Sequence, residues 1–176
     1  MIQKSRMVRV LIGLFLAGQV AFFALSWSPA LPSFPGLSVQ MAPGGMDFDA
    51  ARGLSTLARV WGTLVALPSL LALAFGVWRL DQLLRVNDSK TMFSVRSIGH
   101  LRAFAGATAV SALYSMLEVP LRGWVFRYLG GPLQERIQVG VSSDQLLLLL
   151  VCAMFYLVAN LMHAARRMAE ENEGFV

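Results

Sequence analysis

Residues 145–164 read QLLLLLVCAMFYLVANLMHA, and this stretch decides the fold class. Its 20 residues include no Asp, Glu, Lys or Arg. A helix of about 20 apolar residues spans the hydrocarbon core of a bilayer. Because backbone polar groups in lipid must be paired within the segment itself, the stretch predicts a transmembrane helix.

Three further apolar stretches of similar length lie at 8–27, 60–80 and 103–121. Charged residues make up only 14% of the chain, whereas an average soluble domain has about 25%. We therefore predict an all-α fold, an integral membrane four-helix bundle in which residues 1–176 form one domain with four transmembrane helices. A secretory signal peptide is the alternative for 8–27, although the apolar core of a signal is shorter, at about 7–15 residues.

The distribution of basic residues predicts the orientation. Of the 15 Lys and Arg residues, ten fall on the side of the two termini and of the linker between the second and third spans. Cytoplasmic segments carry the excess of Lys and Arg. We therefore expect both termini in the cytoplasm (N-in/C-in), with a cytoplasmic linker at 81–102 and a cytoplasmic tail at 165–176.

Small residues recur every fourth position along the third predicted helix. Such a ridge lets another helix backbone approach closely. It predicts packing within the bundle or, alternatively, the interface of a homo-oligomer. The ridge consists of Gly99, Ala103, Ala107, Ser111 and Ser115, and the first helix repeats the spacing with Gly13, Ala17 and Ala21.

Two polar side chains inside the spans are candidates for chemistry. Glu118 lies one helical turn before Arg122, which predicts a structural ion pair. Asn160 is expected to hydrogen-bond across helices. The alternative is a small oligomeric transporter or channel, in which both residues and the polar stripe from Thr108 to Ser115 line a path.

Motifs for catalysis are absent from the sequence. It has no glycine-rich phosphate loop, no HExxH and no Ser/His/Asp arrangement, and the soluble segments are too short for a catalytic core. We predict no enzyme, no cofactor and no metal site. A less favoured alternative is a haem-bearing electron carrier that uses the two histidines, His100 and His163.

Two cytoplasmic stretches carry a family resemblance. The linker contains LDQLLR at 80–85, MFS at 92–94 and RSIG at 96–99, and the chain ends in AEENEGFV at 169–176. With four spans and this length, the chain resembles the bacterial family catalogued as domain of unknown function 2975 (DUF2975). The resemblance implies an inner-membrane protein of bacteria.

Members of that family are often encoded beside a small helix-turn-helix DNA-binding regulator. The resemblance therefore implies that the chain binds such a regulator at the cytoplasmic face and does not bind nucleic acid itself. Alternatively, the acidic tail is a solvated end that balances Arg166 and Arg167. The candidate docking residues are Phe93, Ser94, Arg96, Gly99, Glu170, Glu171, Asn172, Gly174, Phe175 and Val176.

Overall fold

The computed structural model describes residues 2–28, 43–44, 46, 51–87, 95–129 and 143–173. This part of the chain forms four long helices and contains no β-strand, which confirms the predicted all-α fold. The helices are α1 (Ile2–Trp27), α2 (Thr56–Asn87), α3 (Val95–Tyr128) and α4 (Ser143–Glu173).

All four helices are long and apolar enough to cross a membrane. The shortest has 26 residues and the longest has 34, which correspond to about 39 and 51 Å at the rise of an α-helix. The hydrocarbon core of a bilayer is only about 30 Å thick. Each apolar stretch predicted from the sequence is therefore part of a longer helix that extends beyond it.

The helices are antiparallel to their neighbours in sequence. The closest pair is α2 with α3, while α4 packs on α3 and α1 packs on α2. Arg9 near the start of α1 forms an ion pair with Asp81 near the end of α2, at 2.9 Å. Arg102 near the start of α3 donates a hydrogen bond to Asn160 in the second half of α4. The start of α1 and the end of α4 therefore lie at the same end of the molecule, which we call the terminal end; the other is the opposite end.

Small residues are buried and large apolar side chains are exposed, which is the reverse of the arrangement in a soluble protein. Several of the most buried residues are alanines, such as Ala58 (1% exposed) and Ala159 (0%). Large side chains such as Leu14, Leu117 and Leu161 are more than half exposed. An apolar surface of this extent is not stable in water, whereas small residues between helices and large ones outside suit a lipid environment.

Exposed tryptophans mark two levels along the helices. Trp61 and Trp78 lie near the two ends of α2, and both side chains are about half exposed. Their separation of 17 residues in sequence corresponds to about 26 Å along the helix. Tryptophan concentrates where the hydrocarbon meets the headgroups, so the two residues indicate the borders of the apolar layer.

Candidate functional site

Arg122 is a buried cation at the opposite end, with 2% of its surface exposed. Its Nη1 donates to Glu118 Oε1 at 3.1 Å, and its Nη2 donates to the carbonyl oxygen of Gly44. Its Cζ lies 5.6 Å from the centre of the Trp27 ring. Because an unpaired buried charge is strongly unfavourable, these contacts make Arg122 the link between α3, the end of α1 and the connection that follows α1.

Trp27 packs against the backbone of α2 at Gly62. A Cβ atom added to Gly62 would lie 2.3 Å from two atoms of the Trp27 ring and 3.1 Å from the Phe126 ring. Only glycine fits at this position without moving the indole. The ring thereby joins a cluster of buried apolar residues, which consists of Trp27, Leu54, Ala58, Ala66 and Phe126.

Arg59, in the first turn of α2, binds several backbone carbonyls at the same end. Its Nη1 donates to the carbonyl of Trp27 at 3.5 Å, and its Nε donates to that of Leu54 at 3.2 Å. Its Nη2 donates to the carbonyls of Ala51 at 3.0 Å and Arg52 at 3.2 Å. The last carbonyls of a helix have no partner within it, so Arg59 serves as a cap for α1.

A cavity of about 330 Å³ lies next to this cluster, between the helices. At about 30 Å³ per molecule, this is the space of roughly ten waters. Its described lining comes mainly from α1, α2 and α3, with Leu148 contributed by α4. The lining is mixed: three aromatic side chains (Phe22, Phe23 and Trp27) stand beside seven polar ones (Gln19, Ser26, Ser69, Thr108, Ser111, Ser115 and Glu118).

The hydroxyl groups around the cavity donate their protons to helix carbonyls. Ser26, Thr108 and Ser115 each donate to a carbonyl of their own helix, at 2.7, 2.6 and 2.7 Å. Ser111 donates across to the carbonyl of Ser69 on α2, at 2.8 Å. A hydroxyl has one proton but two lone pairs, so these groups offer the cavity acceptors and not donors; the hydroxyl of Ser115 also accepts from Nε2 of Gln145 at 3.4 Å.

The Glu118 carboxylate also retains acceptor capacity. Its Oε1 accepts from Arg122, whereas the contact of Oε2 among the described residues is with the hydroxyl of Ser69 at 3.5 Å. The same hydroxyl lies 2.7 Å from the carbonyl of Ala66, and one proton cannot serve both acceptors at full strength. Glu118 is the one charged side chain among the described residues that line the cavity.

Tyr114 reinforces the α2–α3 contact near a proline. Its hydroxyl donates to the carbonyl of Val65 at 2.8 Å, one turn before Pro68 of α2. Proline removes one helix hydrogen bond and its ring disturbs the preceding turn. The missing N–H of Pro68 would have bonded the carbonyl of Leu64, four residues earlier, so Tyr114 adds a hydrogen bond at the adjacent carbonyl, in the turn that the proline weakens.

The small-residue ridge of α3 meets α2 at its middle. A Cβ atom on Gly76 would lie 3.3 Å from Cβ of Ala107 and 3.3 Å from Oγ1 of Thr108. Ser111, one turn further, makes the cross-helix hydrogen bond described above. Gly99 at the start of the ridge is exposed, Ser111 is buried, and the other three ridge positions, Ala103, Ala107 and Ser115, are partly buried. The middle of the ridge therefore serves contacts within the chain, and a homo-oligomer stays a prediction.

Asn160 lies at a different level from the cavity. It accepts its hydrogen bond from Arg102, whose guanidinium carbon is 5.8 Å from the centre of the Tyr156 ring. Asn160 is not among the described lining residues of the cavity. Glu118 and Asn160 thus belong to two separate polar sites, one towards each end of the bundle.

The two histidines occupy different environments. His100 on α3 is 9% exposed, whereas His163 on α4 is exposed. Cys152 on α4 is a buried free thiol. In the described ranges, no cluster of three or more His, Cys, Asp and Glu is arranged to hold a metal ion.

Most candidate docking residues lie outside the described residues or have side chains that do. Phe93, Ser94, Gly174, Phe175 and Val176 fall wholly outside, and so do the side chains of Arg96, Glu170 and Asn172. Gly99 is exposed on α3. Glu171 is exposed on α4, where its Oε1 accepts from Nε of Arg167 at 3.0 Å.

Three features of the opposite end were missed by the sequence analysis. They are the Trp27–Gly62 contact, the carbonyl cap formed by Arg59 and the lining role of Gln19. A signal existed for Arg59, because a cation in the first turn of an apolar helix needs a partner. For Gly62 and Gln19, one sequence offers no sign of which helix they face.

The four apolar helices and the polar cavity between them define the described chain as a multipass membrane protein. The chain belongs to the DUF2975 family, described as a protein of unknown function, whose family model matches residues 29–175. This confirms the resemblance seen in the linker and the tail. Comparisons with curated proteins and with solved structures gave no match.

Proposed function

We propose that this protein holds a soluble helix-turn-helix regulator at the cytoplasmic face of a bacterial inner membrane and catalyses no reaction itself. The family resemblance supports the kind of partner. The excess of Lys and Arg supports a cytoplasmic assignment of the terminal end, since ten of the 15 belong to that side. Binding at the membrane would keep the regulator away from DNA.

One observation carries the proposal: α4 continues without a break to Glu173, well beyond the apolar stretch that ends at Ala164. The nine residues from 165 to 173 add about 14 Å of helix. The side chains of Arg167 and Glu171 on this segment are 77% and 61% exposed. An exposed pair of this kind adds little stability, so this segment is free to serve as a contact surface.

The start of α3 lies at the same end of the molecule as this helical extension. Gly99 in the first turns of α3 is exposed, and Arg102, three residues further, is bonded to Asn160 of α4. The Arg102–Asn160 hydrogen bond thereby fixes the start of α3 relative to α4. A partner can therefore contact both family-specific stretches at once.

Release of the regulator requires two states of the membrane protein that differ in affinity for it. A signal shifts such an equilibrium only as far as it binds the two states differently. The linker and the tail are the segments in which such a difference would be read out.

The proposal is tested by deleting residues 170–176 from the full chain. Native membranes are solubilised in a mild detergent, the tagged protein is purified, and co-purified proteins are identified by mass spectrometry. The full chain should retain a helix-turn-helix protein, and the deletion variant should lose it while still inserting into the membrane.

A matched control changes an exposed aromatic residue at the opposite end, Tyr128→Ala, which is 88% exposed. This variant should retain the partner as the unaltered chain does. Equal recovery of a DNA-binding protein with and without residues 170–176 contradicts docking through the tail, and recovery of none from the full chain contradicts the function.

The second candidate is a small transporter or channel, which the polar cavity supports. Glu118, Thr108 and Ser111 all line that cavity, whereas Asn160 belongs to a separate site. Liposomes with the purified chain should then show a proton- or cation-coupled flux that Glu118→Gln abolishes. Asp144→Asn, an exposed carboxylate at the start of α4, is the control and should leave the flux unchanged.

A further inference from the structure

We infer that the cavity at the opposite end is a binding site for a small organic amine in its protonated form. This inference is independent of the proposed function, because it concerns a different end of the molecule and needs no cytoplasmic partner. It follows from the charge, the hydrogen-bonding capacity and the aromatic character of the lining.

The charge that faces the cavity is negative. Glu118 lines it, while its partner Arg122 directs Nη2 to the carbonyl of Gly44 and stacks on Trp27. Arg122 thereby stabilises the largely buried carboxylate of Glu118. Arg122 itself is not among the described residues that line the cavity. Among the described lining residues, an occupant therefore meets a carboxylate oxygen and no cationic side chain.

The neutral polar groups of the lining also favour a ligand that donates hydrogen bonds. The hydroxyls of Ser26, Thr108, Ser111 and Ser115 all donate to backbone carbonyls and keep lone pairs as acceptors, one of which, on Ser115, accepts from Nε2 of Gln145 at 3.4 Å. Within the described part of the chain, Oε2 of Glu118 has one long contact, with the hydroxyl of Ser69 at 3.5 Å. A protonated amine has two or three N–H donors and no acceptor, which complements the hydroxyl and carboxylate oxygens; the amide of Gln19 contributes a further acceptor oxygen together with two N–H donors.

The aromatic side chains suit the rest of such a ligand. Phe22, Phe23 and Trp27 line the cavity together with the aliphatic chains of Leu70 and Leu73. Aromatic faces attract cations, and apolar walls bind hydrocarbon. An anionic ligand of the same shape would lie against the Glu118 carboxylate, and like charges at such a distance repel each other.

The test uses three probes of one shape and different charge: benzylamine, benzyl alcohol and benzoate. The chain has four tryptophans, and Trp27 is the one among the described lining residues. The substitutions W61F, W78F and W124F leave Trp27 as the only reporter of fluorescence in the purified full chain. Benzylamine should change its emission saturably, with an affinity at least about tenfold higher than that of the other two, because only the amine donates a charged hydrogen bond.

A second measurement needs no substitution. A ligand that binds only the folded chain raises the unfolding temperature by mass action. Benzylamine should raise the unfolding temperature of the unaltered protein in detergent, and equal concentrations of benzyl alcohol and benzoate should not. This comparison is independent of whether any variant folds.

Two variants locate the site. Glu118→Gln keeps the shape and removes the charge, and it should weaken benzylamine at least about tenfold; Ser115→Ala should weaken it about two- to fivefold by the loss of one neutral acceptor. Glu171 is an exposed carboxylate at the terminal end, and Glu171→Gln should leave the affinity for benzylamine unchanged. Equal binding of the three probes, no saturable binding of benzylamine, or full affinity in Glu118→Gln each overturns the inference.

Discussion

The indole of Trp27 rests on the backbone of Gly62, so closely that a Cβ atom there would come within 2.3 Å of two ring atoms. We expect Gly62→Ala to lower the free energy of unfolding by about 2 kcal/mol, because the ring must leave the cluster it shares with Phe126. Thermal unfolding in detergent, followed by circular dichroism, measures the effect.

Gly106 on α3 provides the matched control. A Cβ atom on this glycine meets nothing within 4 Å, and alanine is the better helix former by roughly 0.5–1 kcal/mol. Gly106→Ala should therefore leave the unfolding temperature unchanged or raise it. Equal losses of stability in Gly62→Ala and Gly106→Ala would show that the contact with Trp27 is not the reason why position 62 requires glycine.

A double-mutant cycle should reveal strong coupling between Glu118 and Arg122. The Arg122 side chain is 3% exposed and that of Glu118 is 14% exposed, so removing one partner leaves a buried charge. Each of Arg122→Met and Glu118→Gln should cost about 3 kcal/mol, and the double variant should cost less than the sum by about 1–3 kcal/mol. Denaturation of the four proteins in one detergent gives the coupling energy.

The exposed pair of Arg167 and Glu171 has the same spacing in sequence and serves as the reference. Its coupling should stay below about 0.5 kcal/mol. A coupling for the buried pair no larger than that of the exposed pair would show that burial does not strengthen the interaction between Glu118 and Arg122.

Asn160→Leu should lower the free energy of unfolding by about 1 kcal/mol. The substitution removes the acceptor of Arg102 on α3, and hydrogen bonds between membrane helices contribute about 0.6 kcal/mol on average and up to about 1.7. Leu161→Val alters a neighbouring side chain that is 60% exposed and should have almost no effect. If both variants behave alike in a thermal unfolding assay, the α3–α4 hydrogen bond contributes nothing.

Both ends of the chain should lie in the cytoplasm. A reporter that fluoresces only in the cytoplasm should be active when fused after residue 176 or inserted at 88–94. A reporter that is active only outside the cytoplasm should respond at 29–42 and 130–142. The physical reason is the ten-to-five distribution of Lys and Arg between the two sides. Activity of the cytoplasmic reporter at 29–42 or 130–142, or its failure at 88–94 and after residue 176, would disprove the orientation and with it the proposed docking face.

The helices could be predicted from the sequence because lipid leaves the backbone little choice. A run such as 145–164 has no other way to satisfy its peptide groups in a bilayer. Spacing along one helix was equally informative, since Glu118 and Arg122 are one turn apart whatever their neighbours are. Each of these two inferences requires only the sequence of one segment and the knowledge that lipid surrounds it.

Contacts between helices could not be predicted, because they depend on how each helix is rotated about its axis. Ser69 illustrates the difficulty: its hydroxyl can be satisfied by its own helix, so nothing in the sequence indicates its closeness to Ser111 and Glu118. The sequence indicates that Asn160 bonds another helix, but it does not indicate that the partner is Arg102, the last residue of the predicted linker, directly before the third span.

Helix α1 is attached near its two ends, through Arg9 to Asp81 and through Trp27 to Gly62 and Arg59. Of the nine residues from 10 to 18, seven are exposed, and Gly13 and Gly18 have open space around them. Most side chains of this stretch are therefore constrained by the surrounding lipid and not by a protein neighbour. Single cysteines at positions 13 and 18 are accordingly suitable attachment points for spectroscopic labels that report on the bilayer without disturbing the bundle.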